Sequence, residues 1–328
     1  MVRVLQARGH VVEGVDSYLY EDCTLGPDAP FSGRRQDIRD LTGDDLRGFD
    51  AVIHLAALCN DPLGDLNADW TADINHRASV RLARLAKDAG VGRFLYASSC
   101  SLYGAAGEQL MTEQMPMQPL TAYATSKVRT EEDVTRLADS GFSPVFMRNA
   151  TAYGMSPRFR GDIVLTNFVC WAHTTGRIRI MSDGTPWRPI VHIEDISHAF
   201  AEALVAPREA VHNQAFNIGA NHENDPVRDL ATIVERVVPG CRVEYAAGAG
   251  PDPRSYRVDF SKFARMVPAF APRWTAERGA QEMYDAVRAC GLTEQQFQSR
   301  RVLRLAQLKH LLERGEVDDT LRHPAATV

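Results

Sequence analysis

Hydrophobic and polar positions follow two alternating patterns along the first half of this chain, and each pattern predicts one kind of element. Short apolar runs with the length and composition of buried parallel strands lie at residues 11–15, 50–55, 93–98 and 143–149. Residues 70–89 instead carry apolar side chains at helical spacing and stop at Gly90, a typical helix end. Strands that alternate with helices in this way predict an α/β protein with a parallel, doubly wound sheet.

The pattern changes from about residue 155 onward. A predicted helix at 163–175 precedes strands at 178–181 and 214–218, and further helices are predicted at 227–238 and from residue 275. Residues 303–314 form a basic amphipathic stretch that suits a surface helix or a subunit contact. We therefore predict one domain over residues 1–154. Residues 155–328 form mainly a smaller second lobe, with segments that return to the core and a helical C-terminal tail.

Composition narrows the class of protein. The chain has 328 residues, of which 45% are hydrophobic and 24% charged, as in an ordinary globular enzyme. A net charge of −5 argues against a nucleic-acid-binding protein. The six cysteines contain no CxxC pair, which favours free thiols in a reducing compartment and no metal site. No apolar run has membrane-spanning length and no signal peptide is recognisable, so we expect a cytoplasmic protein without membrane contact.

Candidate chemistry is concentrated between residues 93 and 127. The strand at 93–98 runs into serine hydroxyls, among them Ser99, and a later helix begins after Thr121, a plausible N-cap. On this helix Tyr123 and Lys127 are four residues apart and share one face. A lysine ammonium beside a phenol favours its ionised form, so we expect Tyr123 to be a base at neutral pH. Together the three side chains predict an acid/base site for moving hydrogen on and off a C–OH group.

The phrases SSCSLYG and YATSK resemble the extended short-chain dehydrogenase/reductase family, in its NAD-dependent epimerase/dehydratase branch that acts on nucleotide sugars. The resemblance implies a Rossmann-like fold, with Ser99, Tyr123 and Lys127 as catalytic residues and NAD as cofactor. It also implies a homodimer that pairs through the helix at 70–89 and the helix that carries Tyr123.

The same resemblance implies a set of cofactor-binding residues. Asp16 would accept hydrogen bonds from the adenosine ribose and repel a 2′-phosphate, which favours NAD over NADP. Tyr123 and Lys127 would contact the nicotinamide half, and Lys127 would hold its ribose. The other implied contacts to the cofactor are Asp37, Ile38, Leu55, Ala56 and Ala57.

One part of the family pattern is missing from this sequence. Relatives begin with a strand and a glycine-rich turn before a helix that ends like LQARGH, whereas here Met1 lies within that helix. We therefore expect a Rossmann-like sheet without its first strand and phosphate loop. Either the natural protein is longer and its start was assigned too late, or the chain is truncated, with a gap in its sheet and poor affinity for the cofactor.

The resemblance also implies substrate-binding residues in the second lobe. Arg188, in the segment DGTPWRPIVHIEDISHAF, and Arg254, in GPDPRSYRVDFSK, would bind the phosphates of a nucleotide diphosphate. Thr151 stands near the substrate, where relatives often have asparagine. Asn75 either braces the active-site strand, as in relatives, or lies on a solvated helix face.

The two residues that directly follow Ser99 limit which reactions of this family are expected. The 4,6-dehydratases of this family carry an Asp-Glu pair where this chain has Cys100 and Ser101, and neither replaces a carboxyl acid. We therefore expect an epimerase, or a related oxidoreductase, that forms a transient keto-sugar, and we disfavour 4,6-dehydration. The alternative is a non-catalytic binding or scaffold protein that has lost its dinucleotide site.

Overall fold

The computed structural model describes residues 1–25, 33–59, 61–64, 66–107, 109–248, 250 and 255–324. Its strands are β1 (Val15–Asp16), β2 (Arg34–Arg35), β3 (Ala51–His54), β4 (Arg93–Ser99), β5 (Leu110–Met111), β6 (Ser143–Asn149), β7 (Thr151–Tyr153), β8 (Arg177–Ile180), β9 (Trp187–His192), β10 (Gln214–Ile218), β11 (Asn224–Pro226), β12 (Arg242–Tyr245) and β13 (Arg257–Val258).

The α-helices are α1 (Val2–Ala7), α2 (Asp61–Gly64), α3 (Ala68–Thr71), α4 (Ala78–Asp88), α5 (Ala122–Thr135), α6 (Val164–Thr175), α7 (Ile193–Val205), α8 (Arg208–Val211), α9 (Val227–Val237), α10 (Ser261–Met266), α11 (Ala276–Ala289), α12 (Glu294–Phe297) and α13 (Arg304–Glu313). A π-helical segment, Ala72–Arg77, joins α3 to α4, so the helix predicted at residues 70–89 is confirmed. Short 3₁₀ turns lie at Ile38–Asp40, Asp44–Leu46 and Cys100–Tyr103.

The central sheet has the strand order β10–β6–β4–β3, and all its pairs are parallel. Consecutive side chains of β4 point to opposite faces of this sheet. Leu95 packs in a core that includes Phe200 of α7, whereas Phe94 packs in a separate core that includes Leu82 of α4. Helices therefore cover both faces, and the predicted doubly wound α/β fold is confirmed.

The strands β1 and β2 form a separate parallel pair. A cavity of about 2400 Å³ lies between this pair and the central sheet, lined by Val12 and Gly14 on one side and by Ala51 and Ile53 on the other. The strand predicted at residues 11–15 is wrong in length, because β1 contains only Val15 and Asp16. Its register with β2 involves just these two residues, with one further bond from the Arg34 N–H to the Gly14 carbonyl oxygen, and Val11 and Val12 border the cavity.

The second half of the chain builds its own core. Helices α6, α9 and α11 pack together around Val169, Leu230 and Met283, beside the three-stranded sheet β11–β9–β7 and the pair β12–β8. The tail after α11 returns to the first half, where Leu308 and Leu311 of α13 pack in one apolar cluster with Leu58. None of the helices in the described ranges is both long and apolar enough to cross a lipid bilayer.

His54, the last residue of β3, makes the stability of this fold sensitive to acid. Its side chain is 3% exposed and its Nε2 lies 2.7 Å from the Ser79 hydroxyl. Burial, and secondarily the Lys127 charge, lowers the pKa of His54 to about 3. Because the unfolded chain binds this proton near pH 6.5, the contribution of the neutral imidazole is complete above that pH and is lost as the pH falls towards 3.

We expect the free energy of unfolding to fall by about 1.4 kcal/mol per pH unit through this window from His54 alone. His54→Gln should remove this component of the pH dependence, measured by urea unfolding at half-unit steps from pH 7 to pH 4. The matched control is His222→Gln, because the His222 side chain is 62% exposed. If the free energy of unfolding fell equally steeply with pH in the wild type and in His54→Gln, the prediction would be contradicted.

Candidate active site

The strand β4 and the helix α5 bring the predicted catalytic serine and tyrosine together. Ser99 is the last residue of β4, and its hydroxyl caps the following 3₁₀ turn by accepting from the backbone N–H of Ser101 at 3.2 Å. Thr121 caps α5 as predicted, accepting from the backbone N–H of Ala124 at 3.2 Å, which places Tyr123 in the first turn. The Ser99 side chain lies close enough to Tyr123 to lower the pKa of its hydroxyl. The tyrosine therefore points to the carboxyl end of β4, where a parallel sheet binds its ligands.

Lys127 is held rigidly one turn along the same helix. Its side chain is buried, and its Nζ donates to the carbonyl oxygen of Ala97 at 2.7 Å. The ammonium lies 4.7 Å from the centre of the Tyr96 ring and 5.5 Å from the centre of the Tyr123 ring. These contacts fix a positive charge beside the candidate base.

Two opposing effects act on the acid/base state of Tyr123. Burial raises the pKa of Tyr123 to about 12, whereas Lys127 and the Ser99 side chain lower it. Lys127 thus favours the phenolate, as expected, but the desolvation of the phenol outweighs it. The expected phenolate beside a bound nicotinamide stays a prediction.

The residues that the resemblance assigned to the cofactor come from three separate strand ends, yet they line one cavity of about 250 Å³. These residues are Asp16, Asp37, Ile38, Leu55, Ala56 and Ala57. Cys59 lines the same cavity and is close enough to Tyr123 to influence its pKa. The cavity therefore extends from the β1 and β2 side towards the catalytic tyrosine.

Two carboxylates of this cavity have hydrogen-bond partners within the protein. Asp16 accepts from the backbone N–H of Tyr18 at 2.7 Å. Asp37 caps the turn Ile38–Asp40 and accepts from Arg39 through its backbone N–H at 2.8 Å and its guanidinium at 2.7 Å. Both positions are thus fixed before any ligand is bound.

Asn75 is one residue for which the sequence left two alternatives open. The structure buries it completely, and its amide group pairs with the backbone of Leu58, accepting from N–H at 2.8 Å and donating to C=O at 3.0 Å. A solvated helix face is therefore wrong for Asn75. It braces the segment that follows β3, next to Cys59 and the cavity.

The predicted substrate residues lie on the second sheet. Thr151 begins β7 and is paired with Ile190 of β9, two positions after Arg188. The Arg188 guanidinium donates to the backbone carbonyl of Trp187 at 2.9 Å. Arg254 lies outside the described residues. Thr151 and Arg188 are thus on adjoining strands, and their roles in substrate binding stay predictions.

Sequence analysis missed a group of arginines near the site. Arg160 donates to the carbonyl oxygen of Cys59 at 3.1 Å and pairs with Asp162 at 2.7 Å. Arg158 and Arg304 line the 250 Å³ cavity. The phrase PRFRGD, in which Arg158 and Arg160 follow Gly154 by four and six residues, was a local signal for two of these three arginines.

The chain matches the family model described as "NAD dependent epimerase/dehydratase family" over residues 1–219. It is 28% identical to UDP-glucuronate 4-epimerase of Thermodesulfobacterium geofontis over 70% of this chain and 69% of that protein. It is also 28% identical to UDP-glucose 4-epimerase of Mycolicibacterium smegmatis, over 73% and 78%. The dTDP-D-glucose 4,6-dehydratase of Mus musculus is 26% identical, over 59% of this chain and about half (53%) of that protein.

Solved structures agree with these relatives. MoeE5 in complex with UDP-glucose and NAD has a TM-score of 0.73 and 26% identity, covering 88% of this chain and 94% of the other. DesIV, a dTDP-glucose 4,6-dehydratase from Streptomyces venezuelae with NAD bound, has a TM-score of 0.70 and 26% identity, over 80% and 82%. With more than half of its length matched by the family model, this chain belongs to the NAD-dependent epimerase/dehydratase family.

Proposed function

We propose that this protein is an NAD-dependent epimerase that oxidises a hydroxyl group of a nucleotide-linked sugar and returns the hydride to the opposite face. The observation that carries the proposal is that Tyr123 lies beside Ser99 at the end of β4, with the Lys127 ammonium 5.5 Å from the centre of the tyrosine ring. This arrangement supplies a proton acceptor, a hydrogen-bond donor and a fixed positive charge around one point at the carboxyl end of β4.

The residues that line the cavity suit NAD. Asp16 offers a carboxylate for the adenosine ribose, and the small side chains of Ala56 and Ala57 allow a ligand to approach the backbone closely. Arg304 brings a buried guanidinium Nε that has no hydrogen-bond partner in the described parts of the chain. Lys127 would hold the nicotinamide ribose. When bound, NAD would accept a hydride from the sugar carbon and would return it after the keto-sugar has rotated in the site.

The protein side chains handle the proton and the oxygen. Tyr123 in its phenolate form takes the proton of the sugar hydroxyl while the hydride leaves the same carbon, so that a C–OH group becomes a ketone. Ser99 donates a hydrogen bond to the forming ketone oxygen, and Lys127 stabilises the phenolate. Because Tyr123 has a pKa of about 12 here, it must lose its own proton before the first step, and it donates the proton back in the second.

The positions of Cys100 and Ser101 support epimerisation over dehydration. The Cys100 side chain is fully buried with its Sγ 3.1 Å from the carbonyl oxygen of Arg148, and burial raises the pKa of this thiol further. The Ser101 hydroxyl oxygen is buried as well. Neither group is an acid or base of useful strength at neutral pH, whereas removing water from a sugar requires both.

The remaining assignments follow from the family resemblance. We assign residues 1–154 to cofactor binding and residues 155–328 mainly to the substrate lobe, with Arg188, Arg254 and Thr151 contacting the nucleotide sugar. We also expect a homodimer that pairs through α4 and α5.

Incubating the protein with NAD and UDP-glucose, UDP-glucuronate or dTDP-glucose, followed by proton NMR of the sugar ring, tests the proposed reaction. An epimerase converts one substrate to its C4 epimer without net reduction of NAD. Accumulation of NADH at 340 nm would indicate a simple oxidoreductase, and a 4-keto-6-deoxy product would indicate a dehydratase. Either result, or no conversion of any of the three, would contradict epimerisation.

A further inference from the structure

The C-terminal tail forms one wall of the 250 Å³ cavity. Leu308 and Leu311 of α13 pack in a cluster with Leu58, and Leu321 lines the cavity itself. Two polar contacts hold the end of the tail in place: Arg39 donates to the carbonyl oxygen of Thr320 at 2.9 Å, and the Trp70 indole donates to that of Asp319 at 2.6 Å. A segment without any recognisable motif thus closes the predicted cofactor site.

Arg304, the first residue of α13, brings an unpaired positive charge into this wall. Its side chain lines both cavities, and its Nε is buried without a hydrogen-bond partner. Within the described ranges it forms no ion pair, and its guanidinium carbon lies 4.9 Å from the centre of the Tyr20 ring. A buried N–H donor without a partner is costly, although Asp162 is near enough to favour the charged guanidinium, so an anion that enters the cavity would satisfy this donor.

Two neighbouring arginines differ from Arg304 in their hydrogen bonds. Arg160 is paired with Asp162 at 2.7 Å, and Arg158 donates to the Thr24 hydroxyl at 2.7 Å. The N-terminus of α13 also lacks a side-chain cap, which leaves the positive end of the helix dipole beside the cavity. Of the three guanidinium groups, Arg304 is therefore the one with an unsatisfied donor available to a ligand.

Arg304 lines the cavity together with residues from both of its predicted ends, which indicates the anion that it receives. Asp16 and Asp37 mark the end predicted for adenosine, and Cys59 marks the end next to Tyr123. In a dinucleotide the diphosphate joins the two ribose halves and so lies between these ends. A guanidinium matches two phosphate oxygens at once through parallel hydrogen bonds.

We infer that Arg304, carried by the C-terminal tail, binds the diphosphate of the dinucleotide cofactor. This inference rests on the proposed use of NAD. Arg158, on the wall of the same cavity, is positioned to add a second positive charge.

Isothermal titration of ADP-ribose, adenosine and UDP into the wild type and Arg304→Gln tests the inference. We expect Arg304→Gln to weaken the binding of ADP-ribose about ten- to a hundredfold, since hydrogen bonds to charged groups are of this strength. The affinities for adenosine and UDP should be unchanged. Arg301→Gln is the matched control, because Arg301 is exposed and lies three residues earlier in the tail. Thermal unfolding without ligand should show at most a small loss of stability for Arg304→Gln, because the guanidinium loses only its contact with the Tyr20 ring.

Each contrary outcome overturns the inference in a distinguishable way. Equal affinity of wild type and Arg304→Gln for ADP-ribose removes the role of Arg304 but leaves the epimerase proposal intact. Weaker binding of UDP alone would assign Arg304 to the substrate diphosphate. A lower unfolding temperature without ligand would make Arg304 a structural residue, and failure of the wild type to bind ADP-ribose would also remove the dinucleotide site.

Discussion

Tyr123→Phe should lower kcat by about two to four orders of magnitude, the range typical of losing a general acid/base. Phenylalanine keeps the ring that packs beside Lys127 and loses only the hydroxyl near Ser99. We therefore expect the variant to fold normally and to bind NAD with nearly unchanged affinity. Sugar turnover followed by NMR, with NAD titration on the same preparation, measures both quantities.

The matched control for this variant is Tyr245→Phe, because Tyr245 is 54% exposed and lies on the edge pair β12–β8. Its kcat should equal that of the wild type. Retention of more than a tenth of the wild-type kcat by Tyr123→Phe would rule out the tyrosine as the proton acceptor.

The pH dependence should follow from the same group. Since burial raises the pKa of Tyr123 to about 12, the phenolate fraction grows tenfold per pH unit below that value. The rate of the oxidation step should therefore rise with pH between 7 and 9. Lys127→Met removes a charge that lowers the pKa of Tyr123. The rise of the oxidation rate with pH should therefore occur at higher pH in this variant than in the wild type.

Arg148→Met should destabilise the protein by about 3–5 kcal/mol, because it leaves a buried carboxylate without its partner. The Arg148 guanidinium lies 2.6 Å from Oε2 of Glu131, and both side chains are 6% exposed. Glu131 belongs to α5 and also accepts from the Ser98 hydroxyl, so this pair fastens the helix of Tyr123 to β6 and β4. Urea unfolding at pH 7 measures the loss.

The double variant Glu131→Gln/Arg148→Met should cost less than the sum of the two single changes, because no uncompensated charge remains. Arg136→Met is the control, since its ion pair with Asp133 on the same helix is largely exposed and should contribute at most about 1 kcal/mol. A loss below 1 kcal/mol for Arg148→Met would show that the buried pair does not anchor α5.

The central part of the fold could be predicted from sequence because its signals are local. The strands β6 and β10 match the strands predicted at 143–149 and 214–218. Their nearly continuous apolar runs are typical of strands that are buried on both faces of a sheet. The strand predicted at 11–15 shortened to two residues because strand formation depends on a partner, and apolar character alone does not supply one.

The site was predictable in its composition but not in its electrostatics. The four-residue spacing of Tyr123 and Lys127 specifies a shared helix face, which the structure contains. The pKa of Tyr123 depends on how many apolar atoms surround it, and these come from distant segments. Arg304 could not be found for the same reason: an arginine in an amphipathic helix normally lies in solvent, and only the packing of α13 against Leu58 turns it inward.

The predicted cofactor cavity takes its walls from distant parts of the polypeptide, Asp16 on one side and Leu321 some three hundred positions later. At about 5–20 residues per second, protein synthesis delivers these walls about 15 to 60 seconds apart, and early segments begin folding while later ones are still in the ribosome. A nascent chain halted before residue 304 would already contain Ser99, Tyr123 and Lys127 but not the wall that carries Arg304. We therefore expect the proposed dinucleotide site to be completed late in synthesis.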